Sequence, residues 1–360
     1  MKKLLLLSLC LVLLLSGCGG KEATAATTAA TTVATEPVET TPTYPAPYRE
    51  PHTLHYYFFT TDGMILPELS DYRTRWGEAC LVAFPNGEYM LIDTGLESVY
   101  PTLRDWLHEQ GVNRIDYLML THTHRDHIGG ALSGMLDDFE IGMIYHNGVR
   151  NDVLQMGLLK NMDMDLFAAG STLTVGEGED QVTVTGLWPS AEYQKTSTNY
   201  AKINSQSMVF RIQYGEHSSL FTGSIYKTYK GVWENQIAEG NYHISDTQGV
   251  EEQLAELYTN GELDVDLLKL PTHGDPSTSN SKELFDATTA EIAVATGFMP
   301  LESGYTKAYT ERGFEGTVLF DRLNGFITIY ATADGNMEYE TSRDEYLEDF
   351  GKKWNSDLEH

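Results

Sequence analysis

Short apolar runs alternate with turn residues from residue 54 onwards, a pattern typical of a mixed α/β domain. Residues 54–60 (LHYYFFT) predict a first strand. The runs 79–84 and 89–92 flank the segment PNGE. They predict a hairpin, because both central residues of a tight Asn-Gly turn need positive φ. The domain is therefore expected to begin with strands.

A helix and a short strand follow this hairpin and lead into a histidine-rich segment. Apolar residues recur at helical spacing from Val99 to Leu107, and Gly111 follows them as a stop signal. Residues 115–120 (IDYLML) predict a short buried strand. This strand runs directly into residues 121–130, THTHRDHIGG, in which three histidines and an aspartate occupy six positions.

The same alternation returns in the second half of the chain. Residues 208–214 and 220–222 predict a second hairpin, and 265–270 (VDLLKL) predict a buried strand before PTHG. The further predicted elements are helices at 250–258 and 282–287, a strand at 292–296, and a closing hairpin at 325–332 and 337–341. Two strand-rich halves interleaved with helices predict an α/β (α+β) fold, a four-layer αββα sandwich, in preference to a doubly wound parallel sheet.

The first residues carry the pattern of an export signal. Two lysines precede a short apolar run within residues 1–17, which predicts a signal peptide. Leu15-Ser16-Gly17-Cys18 resembles the bacterial lipobox, in which the cysteine is lipidated and becomes the mature N-terminus. The alternative is an uncleaved N-terminal anchor. Both interpretations place the domain outside the cytoplasm, tethered to the cell membrane.

Composition divides the remainder into a linker, one domain and a tail. Residues 18–50 are rich in Thr, Ala and Pro and nearly lack large apolar groups, so they cannot bury enough surface to fold. Residues 51–341 can bury one large core, and residues 342–360 form an acidic, polar tail. Only Cys80 remains once Cys10 is cleaved off and Cys18 is lipidated, so no disulfide framework is available. Cys80 is predicted to be a small hydrophobic residue of the core.

The net charge restricts the partners of this protein. The chain has 24 Lys+Arg and 52 Asp+Glu, a formal net charge of −28. A protein that held long polyanions through its general surface would show a basic face, and the sequence has no Lys/Arg cluster. Nucleic acid is therefore a disfavoured partner, and any such substrate would have to be attracted by the charge of a bound metal.

The histidine-rich segment has the composition of a metal site. His122 and His124 lie two residues apart at the end of a buried strand, so their side chains point the same way. Asp126 and His127 follow where the chain turns into the next helix. Imidazoles and a carboxylate at this spacing are suited to binding Zn²⁺, and they can also bind Fe or Mn. The alternative is a polar loop that happens to be rich in histidine.

These motifs resemble those of the metallo-β-lactamase superfamily. THTHRDHIGG is similar to its HxHxDH signature, and Asp93 in LIDTG matches an acidic residue that braces the metal loop. The regions WGEACLVAFPNGEYMLIDTG and VDLLKLPTHG, with Ser277–Asn280, look like the soluble metallohydrolase domain of ComEC-type competence proteins. The likeness covers nearly all of residues 54–341 in order.

The resemblance implies a ligand set and an activity. His122 and His124 would hold a first metal ion, and Asp126, His127 and His273 a second. The alternative for His273 is an ordinary loop histidine. One or two zinc ions are expected, with Mn or Fe as alternatives. The implied reaction is hydrolysis of a phosphodiester or related ester by a metal-activated water, which Asp126 could also orient as a catalytic group.

The chain departs from the superfamily pattern at two positions. Ser224 in FTGS stands where the pattern has an aspartate that bridges the two metals, and a neutral hydroxyl is a poor metal ligand. No histidine precedes the strand at 208–214, where the local sequence is INSQS. His146, His217 and His243 have no spacing that favours ligation, so they are predicted to be surface residues.

Three functions compete on these grounds. The first is an extracytoplasmic, lipid-anchored, monomeric metallohydrolase with a small-molecule or cell-envelope ester substrate. The second is a non-catalytic binding module with a degenerate metal site, since the bridging carboxylate is replaced by Ser224. The third is a role in competence-related DNA processing, although the chain lacks the membrane channel beside which ComEC-type domains lie.

Overall fold

The computed structural model of this protein describes residues 50–59, 77–148, 164–190, 200–229, 247–296 and 305–342. All of these residues belong to one compact unit. The predicted signal peptide, Cys18, nearly all of the predicted linker, His243 and the tail beyond Ser342 lie outside the described residues.

The first of two large sheets is mixed and carries both ends of the described domain. Its strands are β1 (Thr53–Phe58), β2 (Cys80–Ala83), β3 (Tyr89–Ile92), β4 (Arg114–Leu120), β5 (Glu140–His146), β6 (Met164–Leu166), β16 (Ile327–Thr332) and β17 (Met337–Thr341). Their spatial order is β17-β16-β1-β2-β3-β4-β5-β6. The β3–β4 and β4–β5 pairs are parallel, whereas β1, β2 and β3 pair antiparallel.

The second sheet is also mixed. Its strands are β7 (Thr172–Val175), β8 (Val182–Trp188), β9 (Val209–Tyr214), β10 (His217–Phe221), β13 (Leu267–Lys269), β14 (Ile292–Ala295) and β15 (Thr317–Phe320), in the order β15-β14-β13-β10-β9-β8-β7. A separate two-stranded ribbon pairs β11 (Thr228–Tyr229) with β12 (Thr247–Gln248).

The helices cover the outer faces of the two sheets. They are α1 (Tyr100–Glu109), α2 (Arg125–Leu132), α3 (Met135–Asp138), α4 (Tyr200–Ser205), α5 (Val250–Leu257), α6 (Lys282–Thr288), α7 (Tyr305–Glu311) and α8 (Asp321–Asn324). Apolar residues of α1 and α2 pack on the first sheet, and those of α5, α6 and α7 pack on the second.

Strands that are apolar on both faces produce this layering. On β1, Tyr56 and Phe58 lie in the core between the two sheets, whereas Tyr57 faces the helix side of the first sheet. Burying each large side chain contributes about 1.5–3 kcal/mol to the stability of the fold, so exposing either face of the sheet to water would be unfavourable. The result is helices, sheet, sheet, helices, which confirms the predicted α/β sandwich.

The predicted elements occur with small shifts at their ends. The hairpin around PNGE pairs Cys80 with Ile92, and the second hairpin pairs His217 with Tyr214. Cys80 is buried and unpaired by disulfide, as predicted. The sequence pattern predicted nothing between residues 131 and 207, where the structure has β5 to β8. The sequences of β5 (EIGMIYH) and β8 (VTVTGLW) do contain apolar residues at strand spacing, so the signal for these two strands was present and was missed.

The carboxyl ends of parallel strands place several loops side by side. β3 and β4 are parallel neighbours in one sheet, and β10 and β13 are parallel neighbours in the other. Loops after such strands open at the same edge of a sheet. The backbone N–H of Met208 at the start of β9 donates to Thr121 O (2.9 Å), which joins these edges across the two sheets.

Candidate metal centre

The histidine-rich segment leaves β4 as a tight turn and enters α2. His124 has extended backbone geometry immediately before the helix, whose first turn carries Asp126. The two glycines of IGG allow the helix to approach the neighbouring loop. A side chain at Gly129 would come within 2.5 Å of Glu97 N, and one at Gly130 within 2.6 Å of Thr94 O. Close packing here holds the segment in one conformation.

Asp93 fixes the orientation of His127. Its carboxylate accepts hydrogen bonds from Thr121 N (2.8 Å) and Thr121 Oγ1 (2.7 Å), and lies 2.6 Å from His127 Nδ1. All three residues are buried. Burial alone would lower the pKa of His127, but the adjacent Asp93 and Asp126 charges raise it. The Nδ1 contact leaves Nε2 directed into the pocket, an arrangement common for metal-binding imidazoles.

His273 enters the same pocket from the other sheet. It lies in a short 3-10 turn after β13 and has positive φ (56°). Its Nδ1 donates to Thr296 O at 2.9 Å, and its Nε2 lies 3.1 Å from Asp126 Oδ2. Burial acts to lower the pKa of His273, but hydrogen bonds to Asp126 and Glu78 raise it to about 10.

His122 and His124 lie next to each other, and His122 contacts His127. His122 Nε2 is 3.1 Å from His124 Nδ1, and the His122 and His127 ring centroids are 4.0 Å apart. Burial lowers the pKa of His122 well below its usual value. Burial also lowers the pKa of His124 to about 3, although Asp126 and the Asn204 side chain act in the opposite direction. Both imidazoles are therefore neutral, the form that binds metal.

Ser224 lies beside His127. The residue is 1% exposed, its Oγ is 3.2 Å from His127 Nε2, and its N–H donates to Ser207 Oγ at 3.0 Å. Its hydroxyl therefore faces the same space as Asp126, whose Oδ2 is 3.6 Å from His127 Nε2. The structure thus brings together all the predicted site residues of the domain, but it places a neutral group at Ser224.

Two buried charges that sequence reasoning missed adjoin this pocket. Glu78 and Lys269 are 3% and 1% exposed and form an ion pair. Glu78 also accepts a hydrogen bond from Thr296 Oγ1 (2.9 Å) and lies 3.3 Å from His273 Nδ1. Burial would raise the pKa of Glu78, but Lys269 and His127 hold it below its usual value.

Glu78 is better placed to orient His273 than to bind a metal. Potential ligand atoms of Glu78, His127 and His273 lie within 4.8 Å of one another. The Glu78 carboxylate nevertheless contacts Nδ1 of His273, whereas Asp126 contacts Nε2 on the other side of that ring. Lys269 already neutralises Glu78. The sequence signal was available, because Lys269 is a charged residue inside the apolar run VDLLKL.

The donor set suits a divalent metal. Four imidazoles and the carboxylate of Asp126 converge in a region where each residue is at most 9% exposed. Burying so many nitrogen and oxygen ligands together is energetically unfavourable without a cation. The residues present therefore fit one or two ions.

Two histidines predicted at the surface are buried. His217 is 0% exposed, with Nε2 3.1 Å from the Tyr56 hydroxyl and Nδ1 3.4 Å from Asp266 Oδ2. His146 is 8% exposed, and its Nδ1 accepts a hydrogen bond from Gly148 N. Distant residues, Tyr56 and Asp266, surround the His217 ring, a relation that local sequence does not show. The surface prediction was wrong for both.

The histidine-rich region also matches a known family. The metallo-β-lactamase superfamily model matches residues 73–133, which include Asp93 and His122 to His127. This match covers only that part of the chain, and the observed pair of mixed sheets with flanking helices is consistent with the fold of that superfamily. Members of this superfamily are typically metal-dependent hydrolases, and their metals are often zinc or iron.

The similar solved structures are distant in sequence. CmlA from Streptomyces venezuelae, described as a diiron beta-hydroxylase, is 14% identical, with a TM-score of 0.41 over 75% of this chain and 53% of its own. The metallo-beta-lactamase GOB-18 from Elizabethkingia meningoseptica is 14% identical, with a TM-score of 0.35 over 66% of this chain and 82% of its own. The chain spans about half the length of CmlA. No curated protein sequence matches it.

Among the described residues, no helix is both long enough and apolar enough to cross a membrane.

Proposed function

We propose that this protein is a metal-dependent hydrolase of a phosphodiester or related ester, held at the extracytoplasmic face of the membrane by a lipid on Cys18. The convergence of His122, His124, Asp126, His127 and His273 in one buried pocket carries the catalytic part of this proposal. The residues come from loops of both sheets, so only a folded domain assembles them.

The pocket divides its donors between two positions. His122 and His124 would hold one ion, and Asp126, His127 and His273 would hold the other. When bound, such ions supply Lewis acidity and lower the pKa of a coordinated water. Asp93 and Glu78 hold the Nδ1 sides of His127 and His273, so the Nε2 atoms stay directed at the pocket.

Ser224 should make the second position the weaker one. A carboxylate at this place would offset the repulsion between two divalent cations, and a serine hydroxyl cannot. The nearby Lys269 charge is already matched by Glu78. The neutral Ser224 also supports the second candidate function, a binding module that keeps the fold but holds metal too weakly for turnover. No observation in the described residues favours competence-related DNA processing over these two.

Metal analysis of the full chain tests the enzyme proposal. Purified protein should hold one to two equivalents of zinc, manganese or iron, and His122→Ala should lose at least one equivalent. His52→Ala is the matched control, because His52 is exposed and pairs with Asp180 outside the pocket. Absence of bound metal under saturating zinc, manganese and iron would overturn the proposal.

Ser224→Asp then separates an enzyme from a binding module. The added carboxylate should raise occupancy of the second position and increase hydrolysis of a model phosphodiester. Carboxylic ester, lactam and thioester substrates, tested in parallel, define the reaction class. If metal content rises but none of the four substrates is hydrolysed by either form, the binding module is the correct function.

The membrane location is proposed from the N-terminal sequence. The LSGC motif and the Thr/Ala/Pro-rich segment behind it support a lipidated, tethered domain. In a bacterial host, Cys18→Ala should move the protein out of the detergent-soluble membrane fraction or leave it unprocessed. Unchanged membrane partition and unchanged processing of Cys18→Ala would refute lipid anchoring.

A further inference from the structure

Two cationic side chains meet at one backbone carbonyl group in the loop that follows His273. Lys227 Nζ donates to Pro276 O at 2.6 Å, and Arg312 Nη2 donates to the same oxygen at 2.7 Å. Both side chains are half-buried. The two residues are far apart in the chain, so the fold creates a pair of adjacent positive charges that no Lys/Arg cluster in the sequence announces.

The guanidinium of Arg312 is bound by neutral groups. It also donates to Ser279 O at 3.0 Å and to Asn280 O at 2.6 Å, so all three of its acceptors are backbone carbonyls. Among the residues that the structure describes, no carboxylate forms an ion pair with it. A guanidinium has five N–H donors. Three hydrogen bonds therefore hold Arg312 in place and leave donors for a ligand.

The positive charge of Lys227 is only partly compensated. Burial lowers the pKa of Lys227 and the adjacent Arg312 charge lowers it further, although Glu251, Asp275 and Glu252 act in the opposite direction. Each of these three carboxylates already accepts hydrogen bonds from N–H groups of neighbouring loops. An anion placed against both cations would reduce the repulsion between them.

Both segments that bring these charges together leave the metal pocket. Lys227 is three residues after Ser224, and Pro276 is three residues after His273. Lys227 N donates to Thr278 O at 3.1 Å, so the two segments stay in contact beyond the pocket. Three residues span at most about 11 Å. The backbone at the cation pair therefore lies within about 11 Å of the backbone at the pocket.

We propose that Lys227 and Arg312 form a subsite for a second phosphate group of the substrate, on the same molecule as the ester at the metal centre. This inference rests on the proposed metallohydrolase and deepens it, because it names the substrate class as phosphoesters with at least two phosphate groups. Arginine and lysine both bind phosphate through charge-assisted hydrogen bonds. A pair of them next to the metal pocket selects such a molecule even though the whole chain is acidic.

Titration calorimetry of the zinc-loaded full chain tests this subsite without requiring turnover. The probes are linear alkanediol bisphosphates with spacers of about three to eight carbons, each compared with the alkyl monophosphate of the same length. This range covers the spacing allowed by the chain. At least one bisphosphate should bind about tenfold or more tightly than its monophosphate, because it gains charge-assisted hydrogen bonds at the second phosphate.

Substitutions at each cation locate the effect. Lys227→Met should remove most of the bisphosphate advantage and leave the monophosphate affinity unchanged. Arg312→Met should do the same, and Arg312→Lys, which keeps the charge, should retain more of the advantage. The two cations lie on different elements, so either position decides if a variant at the other fails to fold. Lys307→Met is the control, because its side chain is 76% exposed and pairs with Glu311.

The outcomes separate this inference from the function on which it rests. If the parent binds zinc but no bisphosphate binds more tightly than its monophosphate, the subsite is wrong and the metallohydrolase stands. If Lys227→Met weakens both kinds of ligand equally, this lysine only shapes the loop, and the assignment is again wrong. If the parent holds no metal, both proposals fail together.

Discussion

At the scale of single residues, the orientation of two imidazoles in the pocket is set by the groups that contact their Nδ1 atoms. Asp93 holds His127 at Nδ1, and Thr296 O with Glu78 holds His273 at Nδ1. Sequence reasoning found Asp93 through the LIDTG motif. It missed Glu78 because this carboxylate acquires its role only when Lys269, far away in the chain, is brought against it.

The first prediction concerns this ion pair. Lys269→Met leaves the Glu78 carboxylate buried without its partner, which should lower the free energy of unfolding of the metal-free protein by about 3–5 kcal/mol. Urea denaturation measures the change. Lys282→Met is the control, because Lys282 is 60% exposed and its pair with Asp286 should contribute less than about 1 kcal/mol.

The double variant Glu78→Gln/Lys269→Met tests the stated cause. Removing both charges should recover a substantial part of the lost stability, because no isolated buried charge remains. If the double variant is as unstable as the sum of the two single variants, the loss comes from packing, and the ion-pair explanation is incorrect.

At the scale of elements, the loop after β13 presents His273 because neighbouring elements hold its backbone. Glu251 on α5 is fully buried and accepts hydrogen bonds from Asn280 N (2.8 Å) and Ser281 N (2.6 Å). Arg312 donates to Asn280 O at 2.6 Å. The strand and the following helix were predicted, but the anchoring of the loop between them was not, because its partners lie on other elements.

The second prediction follows from this anchoring. Glu251→Gln replaces one of the two accepting oxygens with a donor, which should cost about 1–3 kcal/mol for the N–H left without a partner. Hydrogen exchange at Asn280 and Ser281 should accelerate, and metal affinity at the position that uses His273 should fall. Glu256→Gln, at an exposed site on the same helix, is the control. Equal exchange in both variants would contradict the anchoring role.

At the scale of the whole molecule, metal binding and protonation compete for the same groups. In the metal-free protein the pKa of His127 is raised and that of His273 is raised to about 10. Burial acts to lower both pKa values, but the neighbouring carboxylates raise them by more. The His273 imidazole therefore holds a proton at neutral pH, and a metal must displace it. Metal affinity should increase as the pH rises towards 10.

The third prediction measures that displacement. Calorimetry at pH 7 in buffers of different ionisation enthalpy should show net proton release on metal binding, about one proton per chain. His273→Ala should reduce the release by about one proton. An affinity that does not change between about pH 6 and about pH 9 would show that the carboxylates do not hold the His273 imidazole in its charged form.

The same protons affect the stability of the metal-free protein in a defined direction. Because the pKa of His273 is raised on folding, its contribution is fully present below the unfolded value near 6.5 and is lost as the pH rises through about 10. His124 changes stability in the opposite direction, because folding lowers its pKa to about 3. Below about pH 6.5 the unfolded chain binds a proton at His124 that the folded protein does not bind, so the folded state loses stability as the pH falls from about 6.5 towards 3.

The sequence by itself determined the layer architecture, the hairpins and the histidine-rich loop. Alternating apolar runs force burial on both faces of each sheet, and the spacing of His122, His124, Asp126 and His127 confines them to one turn. These are local properties, so they can be read along the chain.

Tertiary structure alone decided how the pocket is completed. Glu78 and Lys269 are separated by 191 residues in sequence, and the Asn204 side chain reaches the Tyr226 hydroxyl from another element. His217 is buried because strands of both sheets enclose it. Each of these facts depends on which distant side chains meet, and such meetings are set by the packing of the two sheets rather than by any local pattern.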